Sequence, residues 1–233
     1  MTEKLRLYQS ILFTSSYLCL IWIIKIAEYT FSLNLSYLGI FPRTFEGSLG
    51  IFTSPLIHGD FYHLISNSFP IALLGVSLWY FYREVALKVI AIIYFFSGFW
   101  VWIVARSAFH LGASGIVYGL IFFHLSVGLL RMDRKTLSIS LLVIFLYGSS
   151  ILSGLLPLSE GVSFETHITG AISGLISAVL FRKNYFFVLD NQKEKEIHRE
   201  ECSINELYNR SDTADSETNI TVKYISNPSE KEK

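Results

Sequence analysis

Gly112-Ala113-Ser114-Gly115-Ile116-Val117-Tyr118-Gly119 is the stretch that decides how this chain is read. A serine between glycines opens an apolar segment that continues to Leu130 and stops at Arg131, Asp133 and Arg134. A run of roughly 20 apolar residues is long enough to cross a bilayer. Glycine on either side lets the backbone bend sharply and approach another group closely. If a helix starts at the serine, its first N–H groups lack internal partners and point at any negative charge that develops nearby. The same small residues also fit a second reading, close packing between membrane helices. The pattern is not the Gly-x-Ser-x-Gly elbow of soluble α/β-hydrolases, because position 116 is isoleucine.

Composition agrees with a membrane setting. The 233 residues are 52% hydrophobic and 15% aromatic, and only 16% are charged, where a soluble domain carries about a quarter. Of the 38 charged residues, 18 lie from Asp190 onward, so the first 189 positions are poorer still. With zero formal net charge and no basic cluster, no nucleic-acid partner is expected. Cys19 lies in an apolar stretch and Cys202 in the polar tail, so neither a disulfide nor a metal site is predicted.

Apolar runs predict six spans, at about 9–31, 61–82, 86–105, 112–131, 137–157 and 166–182. The first is read as an uncleaved helix, because no small-residue cleavage site follows it. Nine basic residues (Lys4, Arg6, Arg83, Lys88, Arg131, Arg134, Lys135, Arg182 and Lys183) then fall on one side, against Arg43 and Arg106 on the other. The positive-inside rule makes the richer side, with both termini, cytoplasmic. The organisation expected is an N-terminus and first span over 1–36, a core over 37–184, and a flexible charged cytoplasmic tail over 185–233. An aromatic, glycine-bearing loop after the first span is expected to lie half-immersed at the outer interface.

Polar side chains within spans are costly and commonly functional. His167 opens the sixth span on the outer side, level with Ser114, and imidazole is the usual base for a serine hydroxyl. Gly170 and Gly174 follow at i+3 and i+7, giving a flat face that can bring His167 against Ser114. His63 and Asn67 are four apart, hence on one helix face, and both can donate to an oxyanion beside Ser114 and its backbone N–H. The alternative for that pair is a polar contact joining helices. His58 is a further candidate; His110 and His124 are read as structural and His198 as solvated. No aspartate lies within the spans, so a Ser-His dyad is implied, with Tyr118 packing on the imidazole.

Together these residues resemble the rhomboid family of intramembrane serine proteases. The match runs from about Leu38 to Lys183 and rests on three motifs: Gly112, Ser114, Gly115 and Tyr118; His63 and Asn67; His167, Gly170 and Gly174. The resemblance implies an all-α bundle of six membrane helices, Ser114 as nucleophile and His167 as general base. It also implies His63 and Asn67 as oxyanion donors, Tyr118 as a stacking partner, transmembrane proteins as substrates, and no cofactor or metal. The chain departs from the family at Phe41-Pro42-Arg43, where many members carry Trp-Arg, and at Thr166, where alanine is common. A bacterial plasma membrane is the expected location. The alternative function is a pseudoprotease that binds transmembrane helices without cutting them.

Overall fold

The computed structural model describes residues 2–157, 163–182 and 199–204. They are nearly all helical. The long helices are α1 (Glu3–Thr30), α4 (Phe61–Phe81), α5 (Arg83–Val104), α6 (Ser114–Arg131), α7 (Arg134–Leu155) and α8 (Phe164–Leu180). Between α1 and α4 lie two single-turn helices, α2 (Phe45–Ser48) and α3 (Gly50–Thr53), flanked by 3₁₀ turns at Ser36–Leu38 and Ser54–Leu56. Contacts divide the chain into Met1–Phe187, which holds all these elements, and Val188–Lys233. In the second unit residues 199–204 are helical; the remainder of the expected tail, with His198, lies outside the described residues.

Among the described residues, α1, α4, α5 and α6 are long and apolar enough to cross a membrane. α8 is apolar but shorter, at 17 residues. Several helices begin before the apolar runs do: α1 at 3 instead of 9, α7 at 134 instead of 137, α8 at 164 instead of 166. The reason is capping. The side chains of Thr2, Asp133 and Ser163 accept first-turn N–H groups, which starts a helix where its donors are satisfied and not where lipid begins. α6 starts later than the apolar run, at 114 instead of 112, because Gly112 takes φ +102°, a conformation no helix contains.

α6 is the centre of the bundle, with Phe123 and His124 fully buried. α1 is at its edge, with an inverted pattern. It buries Ser10, Thr14, Ile21, Lys25 and Glu28, a single stripe at helical spacing, and exposes Leu12, Ile23 and Ile26. The protein is the more polar neighbour of such a helix, and lipid the less polar one. In the loop after α1, Arg43 donates to the Ala105 carbonyl (2.7 Å) and to Ser107 Oγ (3.1 Å), tying it to the end of α5. Phe45, Leu49 and Phe52 remain outward-facing there.

Candidate active site at the start of α6

The chain enters α6 through a segment pinned on both amides. The Gly112 N–H donates to the Ser54 carbonyl at 3.0 Å, and the Ala113 N–H to His58 Nε2 at 3.4 Å. The Ala113 carbonyl then accepts from Ile116 (2.9 Å) and Val117 (3.0 Å), closing the first turn. Among the described residues nothing takes the Ser114 or Gly115 N–H. Ser114 is therefore the first residue of a buried helix whose leading donors are unoccupied, and the residue is 7% exposed.

α8 packs on α6 backbone to backbone. A Cβ on Gly170 would lie 2.3 Å from the Gly115 carbonyl oxygen, and one on Gly174 would lie 2.0 Å from that of Gly119. Any side chain at either position would wedge the helices apart. His167 is one turn before Gly170 and Ser114 immediately precedes Gly115, so both sit at the same level of this contact. Tyr118, one turn after Ser114, stacks on the His167 ring with centroids 4.1 Å apart and planes 7° from parallel.

His167 Nδ1 lies 2.7 Å from the Gly154 carbonyl oxygen on α7. A carbonyl only accepts, so Nδ1 holds the proton and Nε2 of the neutral ring keeps its lone pair. Gly154 must be small to do this: a Cβ there would fall on the Tyr118 hydroxyl and 3.0 Å from Nδ1. No sequence motif marks Gly154. A backbone acceptor leaves no residue-type signature, and the glycine near the outer end of the fifth apolar run was the one available hint.

α4 supplies the third wall. Asp60 caps it by accepting the His63 N–H at 2.7 Å, and the His63 ring lies against Gly112, where a Cβ would be 2.4 Å from Cε1. That contact, together with the positive φ, admits only glycine at 112. Asn67 is 5% exposed, and its Nδ2 has no hydrogen-bond partner among the described residues. A buried amide donor without an acceptor costs free energy.

The other histidines separate clearly. His124 is enclosed, bonded to the Leu120 carbonyl (2.8 Å) and Ser77 Oγ (3.0 Å), a helix-packing role. His110 bonds the Arg106 carbonyl through Nε2 (3.0 Å) and Ser163 Oγ through Nδ1 (2.6 Å), linking the loop before Ser114 to the cap of α8. His58 is fully buried, edge-on to His63 with centroids 5.3 Å apart. Burial, with His63 beside it, pushes His58 down to about 4 from 6.5, so it is neutral and can accept from Ala113. Between those values the unfolded chain binds the extra proton. Stability therefore falls as pH drops through that window, by up to about 3 kcal/mol. Thermal melts of detergent-purified protein should show a lower Tm at pH 5 than at pH 7, with the difference reduced in His58→Gln.

Residues 46–184, more than half of the chain, match the Rhomboid domain. Uncharacterized proteins of Mycobacterium tuberculosis and Mycobacterium bovis are each 28% identical over 173 residues, covering 71% of this chain and 72% of theirs. One of Mycobacterium leprae is 29% identical over 174 residues, covering 71% and 68%. Membrane-length apolar helices, a glycine-lined α6–α8 contact and a family match enclosing Ser114 and His167 lead to one conclusion: this chain belongs to the rhomboid family of integral membrane proteins.

Proposed function

We propose that the protein is a serine endopeptidase that cuts transmembrane proteins in or near their membrane-spanning helices. In this reading six helices cross a bacterial plasma membrane, both termini are cytoplasmic, and the site opens to the outer side. A substrate helix unwinds locally, since a helical peptide bond is shielded by its own hydrogen bonding. Ser114 Oγ attacks the carbonyl carbon, and its proton passes to His167 Nε2. The oxyanion is met by the Ser114 N–H, His63 and Asn67. His167 returns the proton to the leaving amine as the C–N bond breaks, and water then hydrolyses the acyl-enzyme by the same relay in reverse.

The observation that carries the reading is the state of the imidazole. Its Nδ1 proton is committed to Gly154 and its plane is fixed by Tyr118. Nε2 is thus the basic nitrogen at the level of a serine with free amides.

Fluorophosphonate labelling of detergent-purified protein tests this, comparing wild type with Ser114→Ala and His167→Ala. Labelling of wild type alone is the expected result. Equal labelling of all three would place the reactive serine elsewhere. Folded wild type that does not label would point to a helix-binding pseudoprotease.

A further inference from the structure

Lys25 lies on α1, ahead of the residues that match the family, and no step of the proposed reaction uses it. It is nonetheless 8% exposed, and its ammonium is saturated. Its three acceptors are Glu28 Oε2 at 2.8 Å, the His58 carbonyl at 2.9 Å and the Gly59 carbonyl at 2.9 Å. Glu28, also 8% exposed, is anchored in turn by the Leu35 N–H on Oε1 at 3.0 Å. The pair is therefore more than an i,i+3 contact within a helix. It grips the two residues directly before Asp60, the cap of α4.

From that grip two short paths reach the nucleophile. The His58 ring accepts the Ala113 N–H, one residue before Ser114. The turn capped by Asp60 carries His63, whose ring seats Gly112. A second strut from α1 runs parallel: Tyr17 donates to the Pro55 carbonyl at 2.8 Å, beside Ser54, which holds the Gly112 N–H. Without the ammonium, the carbonyl of the buried His58 would lose this donor, and an unmet buried carbonyl costs free energy. Stability alone does not call for this device, since apolar packing commonly replaces a buried ion pair at no loss.

We propose that Lys25, held by Glu28, is a positioning residue. It fixes the His58–Gly59 backbone so that His58 and His63 keep Gly112 and Ala113, and with them the Ser114 N–H, in register for the oxyanion. This rests on Ser114 being the nucleophile. Its effect should fall on the transition state and not on substrate affinity.

The test uses the full chain with the double variant Lys25→Met/Glu28→Gln, which leaves no lone buried charge, alongside Lys25→Arg and Glu28→Gln. Labelling rate, kcat and KM on a fluorogenic transmembrane peptide, and Tm are measured together. The double variant should stay folded and lose about tenfold or more in labelling rate and kcat, with KM within about twofold. Lys25→Arg should restore most of the loss, and Glu28→Gln should lose about threefold. A double variant that labels and cleaves like wild type overturns the proposal. If the double variant does not fold, Glu28→Gln decides: a lower kcat at unchanged KM supports the proposal, and wild-type behaviour overturns it. If wild type itself neither labels nor cleaves, the protease reading fails, and positioning is read from hydrogen exchange. Faster exchange at the Ala113 and Ser114 amides of the double variant supports it; unchanged exchange overturns it.

Discussion

Replacing His167 with alanine is expected to slow peptide cleavage on the order of 10⁴-fold while leaving the bundle folded. Two limits frame that figure. In a full triad, loss of the histidine costs about 10⁶ in kcat, and loss of the carboxylate behind it about 10⁴. If the Gly154 carbonyl did nothing for the imidazole, only about 10² would remain to be lost. If it replaced a carboxylate fully, the loss would approach 10⁶. A carbonyl at 2.7 Å with the ring stacked on Tyr118 fixes tautomer and orientation, but it carries no charge to stabilise the imidazolium. The intermediate value follows. Single-turnover cleavage by wild type and His167→Ala measures it, and a loss below tenfold would remove His167 from the chemistry. The side chain is replaced by a smaller one at a ring-stacking site, so far-UV circular dichroism should be unchanged.

Gly174→Ala is expected to destabilise the protein by about 3 kcal/mol, against the direction that helix propensity alone gives. In an isolated helix the change would be favourable by about 1 kcal/mol. Here the added methyl would sit 2.0 Å from the Gly119 carbonyl oxygen and 2.8 Å from its carbon. Both are backbone atoms of a buried helix, with no flexible side-chain end to move aside, so sterics outweigh propensity. Gly170→Ala meets Gly115 in the same way and should also displace His167 from Ser114, losing activity along with stability. Gly148→Ala on α7 is the internal control. Among the described residues its methyl meets only Ile144 Cγ2 at 3.7 Å, and stability should be unchanged or slightly raised. Unfolding titrations of the three variants in mixed detergent micelles check the ordering. Gly174→Ala as stable as wild type would mean that α6 and α8 are not in backbone contact.

The α6–α8 contact was legible because Gly170 and Gly174, one turn apart on one face, have few uses in a membrane helix other than close approach. Ser114 as a helix start was legible because Gly112 and Gly115 mark a bend. Helix starts elsewhere lie ahead of the apolar runs, since hydropathy follows the lipid boundary whereas Thr2, Asp133 and Ser163 set the first turn by hydrogen bonding. Gly154 was invisible for a different reason: its contribution is a backbone oxygen, which every residue has. The Lys25–Glu28 pair was visible as two charges near the end of the first span. Its target was not, because the acceptors at His58 and Gly59 are again main-chain atoms, brought close only by packing.

α6 and α8 hold 18 and 17 residues, whereas α4 and α5 hold 21 and 22. At about 1.5 Å per residue the first pair spans about 26 Å and the second about 32 Å, against a hydrocarbon thickness of roughly 30 Å. If Arg131 and Arg182 anchor the far ends at the headgroups, Ser114 starts several ångströms beneath the opposite surface. His167, at the same level of the α6–α8 contact, lies beneath that surface too. Acyl-chain length then becomes a variable of the proposed reaction, since hydrophobic mismatch makes short helices thin the bilayer around them. Longer-chain lipids lengthen the water column above Ser114, and shorter ones bring the surface down to it.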